Sequence, residues 1–219
     1  MILVLTGAPG AGKGTQADLL ADRLSFRKVS TGDALRRHIK SGSRIGKEAE
    51  AIMARGELVP DDVLFRILKD ELGTNSNDRV LLDGYPRNVS QANTLSSLND
   101  VHPVIGAIHL DVDENELLGR LSGRRVCGSC GASFHVTANP PTKSGVCDRC
   151  GGSLIQRPDD EMASVKVRLS VYDKNTKPVL DFYKGRSLYH RVAGLGTTEE
   201  VFDRLKRTVE GLMPAGRGQ

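Results

Sequence analysis

The sequence contains no tryptophan, and aromatic residues make up only 4% of its 219 positions. Aromatic side chains are the surfaces on which single-stranded nucleic acids stack, so their scarcity argues against that class of ligand. No apolar run approaches the roughly 20 residues that a helix needs to cross a bilayer. Blocks of five or six like charges, which are typical of tails that bind nucleic acid, are also missing. We therefore expect neither nucleic acid nor a membrane among the partners.

Cysteine is also scarce, and its four occurrences form two close pairs rather than a disulfide framework. The apolar run Met1–Thr6 is too short for a signal-peptide core and is interrupted at once by glycine and proline. Both features predict a cytoplasmic protein. The net charge of +4 is modest, but many of the positive charges are arginines, whose planar guanidinium matches phosphate oxygens. A small anionic ligand is therefore expected.

Short apolar runs alternate with segments that carry apolar residues at helical spacing. The runs that predict strands are Ile2–Thr6, Arg27–Ser30, Arg79–Asp83, Val104–Val112 and Leu188–Val192. Strands that alternate with helices predict an α/β fold with a parallel, doubly wound sheet and helices on both faces. Long helical patterns cover 31–55 and 159–182, with Pro178 as a candidate kink or break. Thr197 and Glu200 form a capping box that opens a last helix, which ends near Leu212.

The first predicted strand and helix are joined by a glycine-rich segment, Gly7-Ala8-Pro9-Gly10-Ala11-Gly12-Lys13-Gly14-Thr15. Its glycines let backbone N–H groups turn towards phosphate oxygens, and Lys13 supplies a mobile positive charge. A strand before the segment and a helix after it are the context that a phosphate-binding loop requires. The hydroxyl residue expected directly after the lysine comes one place later, at Thr15. We therefore expect Mg²⁺ to be held mainly through water and nucleotide oxygens.

The cysteines lie in a segment, 123–158, that is rich in glycine and poor in large aliphatic residues. They form two Cys-x-x-Cys pairs, Cys127 with Cys130 and Cys147 with Cys150, separated by sixteen residues. This spacing predicts a four-thiolate zinc site, with iron or an iron–sulfur centre as the alternative. Four protein ligands close the coordination sphere, so we expect a structural metal that folds an insertion with little core of its own.

Four later motifs, together with the glycine-rich segment, resemble the adenylate kinases. They are Ser30-Thr31-Gly32-Asp33-x-x-Arg36, Leu81-Leu82-Asp83-Gly84-Tyr85-Pro86-Arg87, Gly123-Arg124-Arg125 and Arg157-x-Asp159-Asp160. The motifs follow the family's order, and the resemblance runs from Ile2 to about Leu212. It implies the P-loop nucleoside-monophosphate-kinase fold, with a core over 1–29, 60–122 and 160–219. The AMP-binding segment is expected over 30–59 and a zinc-binding lid over 123–159.

The resemblance implies reversible phosphoryl transfer from ATP to AMP, which gives two ADP, by a monomer that uses Mg²⁺ with ATP. The catalytic residues that it implies are Lys13, Asp83, Arg87, Arg124, Arg157 and Arg168. For ATP it implies contacts from Gly10, Gly12, Gly14, Thr15, Arg120, His135 and Gly196. For AMP it implies contacts from Thr31, Arg36, Met53, Val59, Gly84 and Gln91.

Two other functions stay open from the sequence alone. The first is a related kinase that uses another nucleoside monophosphate or GTP. The second is an ATP-binding zinc-ribbon protein that acts on nucleic acid, which would bind DNA or RNA with a steep salt dependence. The cysteine pairs lie between Arg124 and Arg157, so the insertion would carry phosphate-contacting residues onto the nucleotide. This position favours a lid, whose closure would keep water away from the γ-phosphoryl group.

Overall fold

The computed structural model describes residues 1–73 and 78–213. Within these residues the strands are β1 Ile2–Gly7, β2 Arg27–Ser30, β3 Val80–Asp83, β4 Val104–Asp111, β5 Arg124–Cys127, β6 Ser133–His135, β7 Leu154–Ile155 and β8 Tyr189–Ala193. Five of them form one sheet in the order β2-β3-β1-β4-β8, and every pairing in it is parallel. The predicted parallel α/β sheet is confirmed, with strand ends that differ by at most one residue.

The α-helices of the described residues surround this sheet. They are α1 Lys13–Leu24, α2 Thr31–Lys40, α3 Arg44–Ala54, α4 Asp61–Leu72, α5 Val89–Ser96, α6 Glu114–Ser122, α7 Met162–Val171, α8 Pro178–Lys184 and α9 Thr198–Leu212. The predicted capping box of α9 is confirmed, because Thr197 and Glu200 each accept a hydrogen bond from the other's backbone N–H. No helix in the described parts of the chain is long and apolar enough to cross a membrane.

The two long helical segments predicted from the sequence are both interrupted. The segment 31–55 is two helices, α2 and α3, because Gly42 adopts a left-handed φ of 65° and the Ser43 side chain caps α3. The segment 159–182 begins with a 3₁₀ turn, Pro158–Asp160, and α7 and α8 are separated by a π-helical turn, Tyr172–Thr176. Pro178 starts α8, where its missing N–H is not needed, so the break that was expected there begins a turn earlier.

Alternate residues of the central strands supply two hydrophobic cores, one on each face of the sheet. Ile2 and Val4 of β1 pack with residues of α2, α4, α5 and α8. Leu3 and Leu5 of the same strand pack with residues of α1, α6, α7 and α9. Side chains alternate between the faces of a strand, so a strand that is apolar at every position must be covered on both sides. The central position of β1 in the sheet thus explains why the run at the start of the chain is apolar at every position.

The insertion after α6 folds as a separate antiparallel sheet in the order β6-β5-β7. Only three apolar side chains between residues 123 and 159 are buried, namely Val126, Cys127 and Cys147. This is too little to hold a small domain by hydrophobic burial alone. The predicted division into core, AMP-binding segment and lid stays a prediction, and its last residues, 214–219, lie outside the described part of the chain.

Candidate active site

The glycine-rich loop lies between β1 and α1, at the carboxyl end of the central strand. Gly10 has a φ of 86°, and a Cβ there would lie 2.9 Å from Leu121 Cγ, so only glycine fits. The Lys13 ammonium donates hydrogen bonds to the carbonyl oxygens of Gly7 (2.8 Å) and Ala8 (2.9 Å). These bonds fold the side chain back over the loop, where its charge faces the space in front of α1.

Asp83 ends β3, the strand beside β1. It pairs in register with Leu5 of β1 and with Ser30 of β2 and is 9% exposed. Its Oδ2 lies 3.8 Å from the point that a Cβ on Gly14 would occupy, so the carboxylate faces the first turn of α1. Ligands of parallel sheets bind at the carboxyl ends of the strands, and this carboxylate is therefore well placed to meet one.

A cavity of about 360 Å³ opens in front of the loop and extends between α2, α3 and the lid. Sixteen of the residues predicted from the sequence line it: Gly10, Gly12, Lys13, Gly14, Thr15, Arg36, Met53, Asp83, Gly84, Arg87, Arg120, Arg124, His135, Arg157, Arg168 and Gly196. The structure thus brings together residues that are up to 186 positions apart in the sequence. Their individual roles stay predictions.

Three residues predicted to contact AMP lie behind the cavity wall instead. Thr31 is buried and its hydroxyl donates to the Gly84 carbonyl oxygen at 3.1 Å. Val59 is buried in the core that contains α2 and α4. Gln91 is fully buried, where its Nε2 donates to Asp61 Oδ1 (2.7 Å) and its Oε1 accepts from the Arg87 N–H (2.7 Å). In this arrangement these side chains support the wall, and their contact with AMP stays a prediction.

Five arginines of the cavity lie close together, and their charges act on one another. Withdrawal from water, together with the neighbouring Arg168, lowers the pKa of Arg87 to about 10. Withdrawal from water, with Arg36 and Arg124 nearby, lowers the pKa of Arg157 to about 10 as well. The Nε of Arg157 is buried and has no hydrogen-bond partner within the described residues. A polyanion would relieve this mutual repulsion, because opposite charge favours the protonated form of each group.

A buried carboxylate that the sequence analysis gave no role holds two of these arginines. The side chain of Asp160 is completely buried and accepts hydrogen bonds from Arg124 Nε, at 2.7 Å, and from Arg124 Nη2. It also accepts from Arg168 at 2.9 Å. Burial alone would raise the pKa of the adjacent Asp159, but Arg168, Arg124 and other arginines outweigh it and the pKa is lowered. Asp159 therefore stays charged, and the hydrogen bonds to Asp160 fix the guanidinium groups of Arg124 and Arg168 in place.

The sequence analysis also missed Asp18 and Lys28, which line the same cavity. Lys28 lies two residues before Ser30 on β2, and Ser30 is the neighbour of Asp83 in the sheet. Because side chains alternate along a strand, Lys28 and Ser30 lie on the same face. That alternation was the available signal, and it becomes useful only when the strand order is known.

The four cysteines meet in the lid and are free thiols, as a metal site requires. The Sγ atoms of Cys127 and Cys150 are 3.5 Å apart, those of Cys130 and Cys147 are 3.6 Å apart, and all four lie within 4.8 Å of one another. A disulfide needs about 2.05 Å, whereas a tetrahedral metal with bonds of about 2.3 Å separates its sulfurs by about 3.8 Å. The cluster therefore has the dimensions of a four-thiolate metal site.

The lid covers the cavity on the side opposite α1. Its strand β6 contributes Phe134 and His135 to the lining, and His135 Nε2 lies 3.3 Å from the Gly119 carbonyl oxygen of α6. The Lys40 ammonium at the end of α2 donates a hydrogen bond to the Gly128 carbonyl oxygen of the lid, at 3.3 Å. This bond joins the lid to the segment that contains α2 and α3. The lid thus closes over the cations rather than standing away from them.

A parallel sheet with a phosphate loop at its centre, a lysine and an arginine cluster define a P-loop nucleotide-binding protein of the α/β class.

A family model described as adenylate kinase matches residues 5–188. The adenylate kinase of Methanocella arvoryzae is 45% identical over 215 residues, which cover 97% of this chain and 100% of that protein. The adenylate kinase of Caldicellulosiruptor bescii is 44% identical over 215 residues, and that of a Geobacillus species is 44% identical over 217 residues. These two alignments cover 97% of this chain and 99% and 100% of the relatives. This chain belongs to the adenylate kinase family.

Proposed function

We propose that the chain transfers a phosphoryl group reversibly from ATP to AMP, giving two ADP, across the cavity between its phosphate loop and its arginine cluster. Membership of the family makes it a phosphotransferase that acts on these nucleotides. The observation that carries the proposed arrangement is the convergence of Lys13 and five arginines on one covered cavity. ATP would lie along the loop and AMP on the side of α2 and α3, so that their phosphates meet between these cations.

The chemistry explains why no general base is needed. A phosphate oxygen of AMP forms a bond to the γ-phosphorus, and the bond from that phosphorus to the β–γ bridging oxygen breaks. The AMP phosphate is already an anionic nucleophile, so the protein has only to align the groups and stabilise negative charge. We assign the AMP phosphate to Arg36 and Arg87, and the transferred group to Lys13, Arg124, Arg157 and Arg168. Arg120, His135 and Gly196 would surround the ATP adenine.

Magnesium fits the residues at the carboxyl end of β3. Mg²⁺ is usually bound by one or two carboxylates together with phosphate oxygens and water, and Asp83 presents its carboxylate beside the phosphate loop. An ion held there would neutralise part of the negative charge of the phosphates. In this arrangement the role of Asp83 is to hold and orient the ion's water shell, which agrees with the absence of a hydroxyl residue directly after Lys13.

We also propose that the lid metal is zinc and that its role is structural. The cysteine spacing and the tetrahedral dimensions of the cluster support zinc, with iron as the alternative that metal analysis would reveal. The proposed units are a core over 1–29, 60–122 and 160–219, an AMP-binding segment over 30–59 and the lid over 123–159. The monomeric state, the cytoplasmic location and independence from nucleic acid and membranes stay predictions from the sequence.

The test of the proposed function is a coupled assay of ADP formation with Mg²⁺ and ATP, across a panel of nucleoside monophosphates. We expect ADP to form with AMP, and ATP and AMP to form from ADP alone. A Lys13→Ala protein purified in parallel controls for kinases of the expression host. Activity with another monophosphate and not with AMP would favour the related-kinase alternative, and no activity above the control would refute the proposal.

The pH dependence should reveal the titration of Lys13. Withdrawal from water lowers the pKa of this ammonium from 10.5 to about 8, although the Asp83 charge opposes the shift. The free enzyme therefore loses the charge as the pH rises through about 8, and kcat/KM for ATP should fall above that pH. The kcat should persist to higher pH, because bound phosphates favour the ammonium. Initial rates between pH 6.5 and 9.5 test this, and a flat kcat/KM over that range would contradict it.

Thr176, in the π-helical turn, should support AMP binding through Arg87. Its hydroxyl donates to the Arg87 carbonyl oxygen at 2.8 Å, while Gln91 accepts from the Arg87 N–H. Thr176→Val removes the donor and leaves that carbonyl unsatisfied, which costs about 1–3 kcal/mol. We expect KM for AMP to rise about tenfold while KM for ATP stays within about twofold. Thr176→Ser should restore the wild-type value, and an equal rise for both nucleotides would contradict this role.

A further inference from the structure

A lysine ammonium lies among carboxylates at the edge of the cavity where we place magnesium. Lys28 Nζ is 2.8 Å from Asp18 Oδ1 and 3.7 Å from Asp33 Oδ2, and its side chain is 19% exposed. It also lies 3.5 Å from the Gly14 carbonyl oxygen, at the first turn of α1. Lys28 is not among the residues that we assign to ATP or AMP.

The fold fixes this position from two directions. Lys28 stands on β2, two residues before Ser30, and Ser30 pairs in register with Asp83 of β3. Gly14 is close to both groups, because its Cβ position would lie 3.8 Å from Asp83 Oδ2 and its carbonyl oxygen accepts a hydrogen bond from Lys28 at 3.5 Å. The ammonium therefore belongs to the same group of charges as Asp83, and Asp33 lies between it and Arg36 of the arginine cluster.

Lys28 keeps its charge in this environment. Burial alone would lower its pKa, but the charge of Asp83, the hydrogen bond that Lys28 donates to Asp18 and the charge of Asp33 together raise it. The group is thus a permanent cation at neutral pH. It neutralises part of the negative charge that would otherwise attract a divalent ion to this edge of the cavity.

We propose that Lys28 weakens the hold of this chain on Mg²⁺, so that the ion is retained only together with nucleotide phosphates. The inference rests on the proposed placement of Mg²⁺ beside Asp83. A positive charge beside Asp83 repels a divalent cation, and it already pairs with the neighbouring carboxylates of Asp18 and Asp33. Lys28 is in this sense a determinant of the magnesium requirement, and it is not a ligand of the nucleotide.

The direct test is the affinity of Mn²⁺, as a paramagnetic substitute for Mg²⁺, measured by electron paramagnetic resonance. The complex contains the full chain in excess over an ATP analogue with a methylene group in place of the β–γ bridging oxygen, so that no transfer occurs. We expect Lys28→Gln to bind Mn²⁺ about tenfold more tightly than the wild type. Lys28→Arg, which keeps the charge, should remain near the wild type.

Two controls separate this effect from other causes. Lys166→Gln removes the same charge at an exposed position of α7 outside the cavity and should leave the Mn²⁺ affinity unchanged. The affinity for the analogue alone, measured by calorimetry in the presence of a chelator, should change little in Lys28→Gln. Melting curves show that each variant is folded.

Three results would overturn the inference. An unchanged Mn²⁺ affinity in Lys28→Gln would leave the lysine as no more than a partner of Asp18. A weaker Mn²⁺ affinity would show that the charge does not repel the ion, and a loss of metal-free analogue binding would make Lys28 a phosphate ligand. The proposed function has separate tests. It fails if the wild type forms no ADP, and the proposed position of Mg²⁺ fails if Asp83→Asn leaves the Mn²⁺ affinity unchanged.

Discussion

Lys13→Ala is expected to lower kcat by at least about 10³-fold, because a single preorganised donor to developing negative charge contributes about 10²–10³ and this donor is also charged. The ammonium is held over the phosphate loop by two backbone carbonyl oxygens, from Gly7 and Ala8, so its position is fixed before the substrate arrives. The loss should therefore appear mainly in kcat, whereas the affinity for ATP, to which the loop amides and other cations contribute, should weaken much less.

The same variant should be at least as stable as the wild type. In the folded protein the pKa of Lys13 is lowered from 10.5 to about 8, so the charged form is disfavoured by folding. At pH 7 this costs up to about 3 kcal/mol, a cost that disappears as the pH rises from about 8 towards 10.5. Replacement by alanine removes the cost. We expect a melting temperature equal to or above that of the wild type.

These two expectations give Lys13→Ala a distinctive result, which is loss of activity without loss of stability. Steady-state kinetics with ATP and AMP, calorimetric binding of ATP and thermal denaturation measure the three quantities. Lys166→Ala, at an exposed position outside the cavity, is the matched control and should behave as the wild type. A kcat within tenfold of the wild type would show that the ammonium does not stabilise the transferred group.

The parts of the site that could be predicted from the sequence are those in which neighbouring residues act together. The phosphate loop is one continuous segment between β1 and α1, so its strand, glycines and lysine are all visible in nine residues. The cysteine pairs are similar, because their spacing alone fixes the size of the site that they can form. The break at 41–43 was not foreseen, because it depends on the left-handed φ of Gly42, and the break expected at Pro178 begins a turn earlier, in the π-helical turn Tyr172–Thr176.

The roles that the sequence could not show depend on partners that are distant along the chain. The resemblance implied a contact of Gln91 with AMP, and only the fold shows that this side chain hydrogen-bonds to the Arg87 backbone and to Asp61. Lys28 looks like a solvated charge on a short strand until the fold places Asp83 beside Ser30 and brings the ammonium to Asp18 and Asp33. Such roles depend on strand order and on the direction of a side chain, which local patterns do not contain.

Cys147→Ser is expected to unfold the lid while the sheet remains folded. Only three apolar side chains are buried between residues 123 and 159, and two of them are metal-site cysteines, so the lid has almost no core without its metal. Loss of one thiolate opens the coordination sphere. We expect about one zinc per chain in the wild type, far less than one in the variant, and a melting temperature that is lower by about 10 °C.

Activity should fall with the lid, although no cysteine touches the nucleotides. Arg124 begins β5 and Arg157 directly precedes the 3₁₀ turn, so both borders of the lid carry a guanidinium of the cavity. Asp160, directly after the last residue of the lid, accepts a hydrogen bond from Arg124 near its first residue. This contact therefore joins the two ends of the insertion. If the lid unfolds, these cations lose their alignment and water reaches the γ-phosphoryl group. We expect kcat/KM to fall about 100-fold and slow hydrolysis of ATP to appear.

Hydrogen exchange separates this local mechanism from general unfolding. In Cys147→Ser, amides between residues 123 and 159 should lose protection while those of β1, β3 and β4 keep it, because the two sheets have separate hydrogen-bond networks. Ser144→Ala, an exposed serine close to the same cysteine pair, should retain zinc, stability and activity. If metal analysis of the wild-type protein finds iron, the structural metal of the lid is iron and not zinc. A lid that stays protected after the metal is lost would show that hydrogen bonds and its three buried side chains are sufficient to fold it.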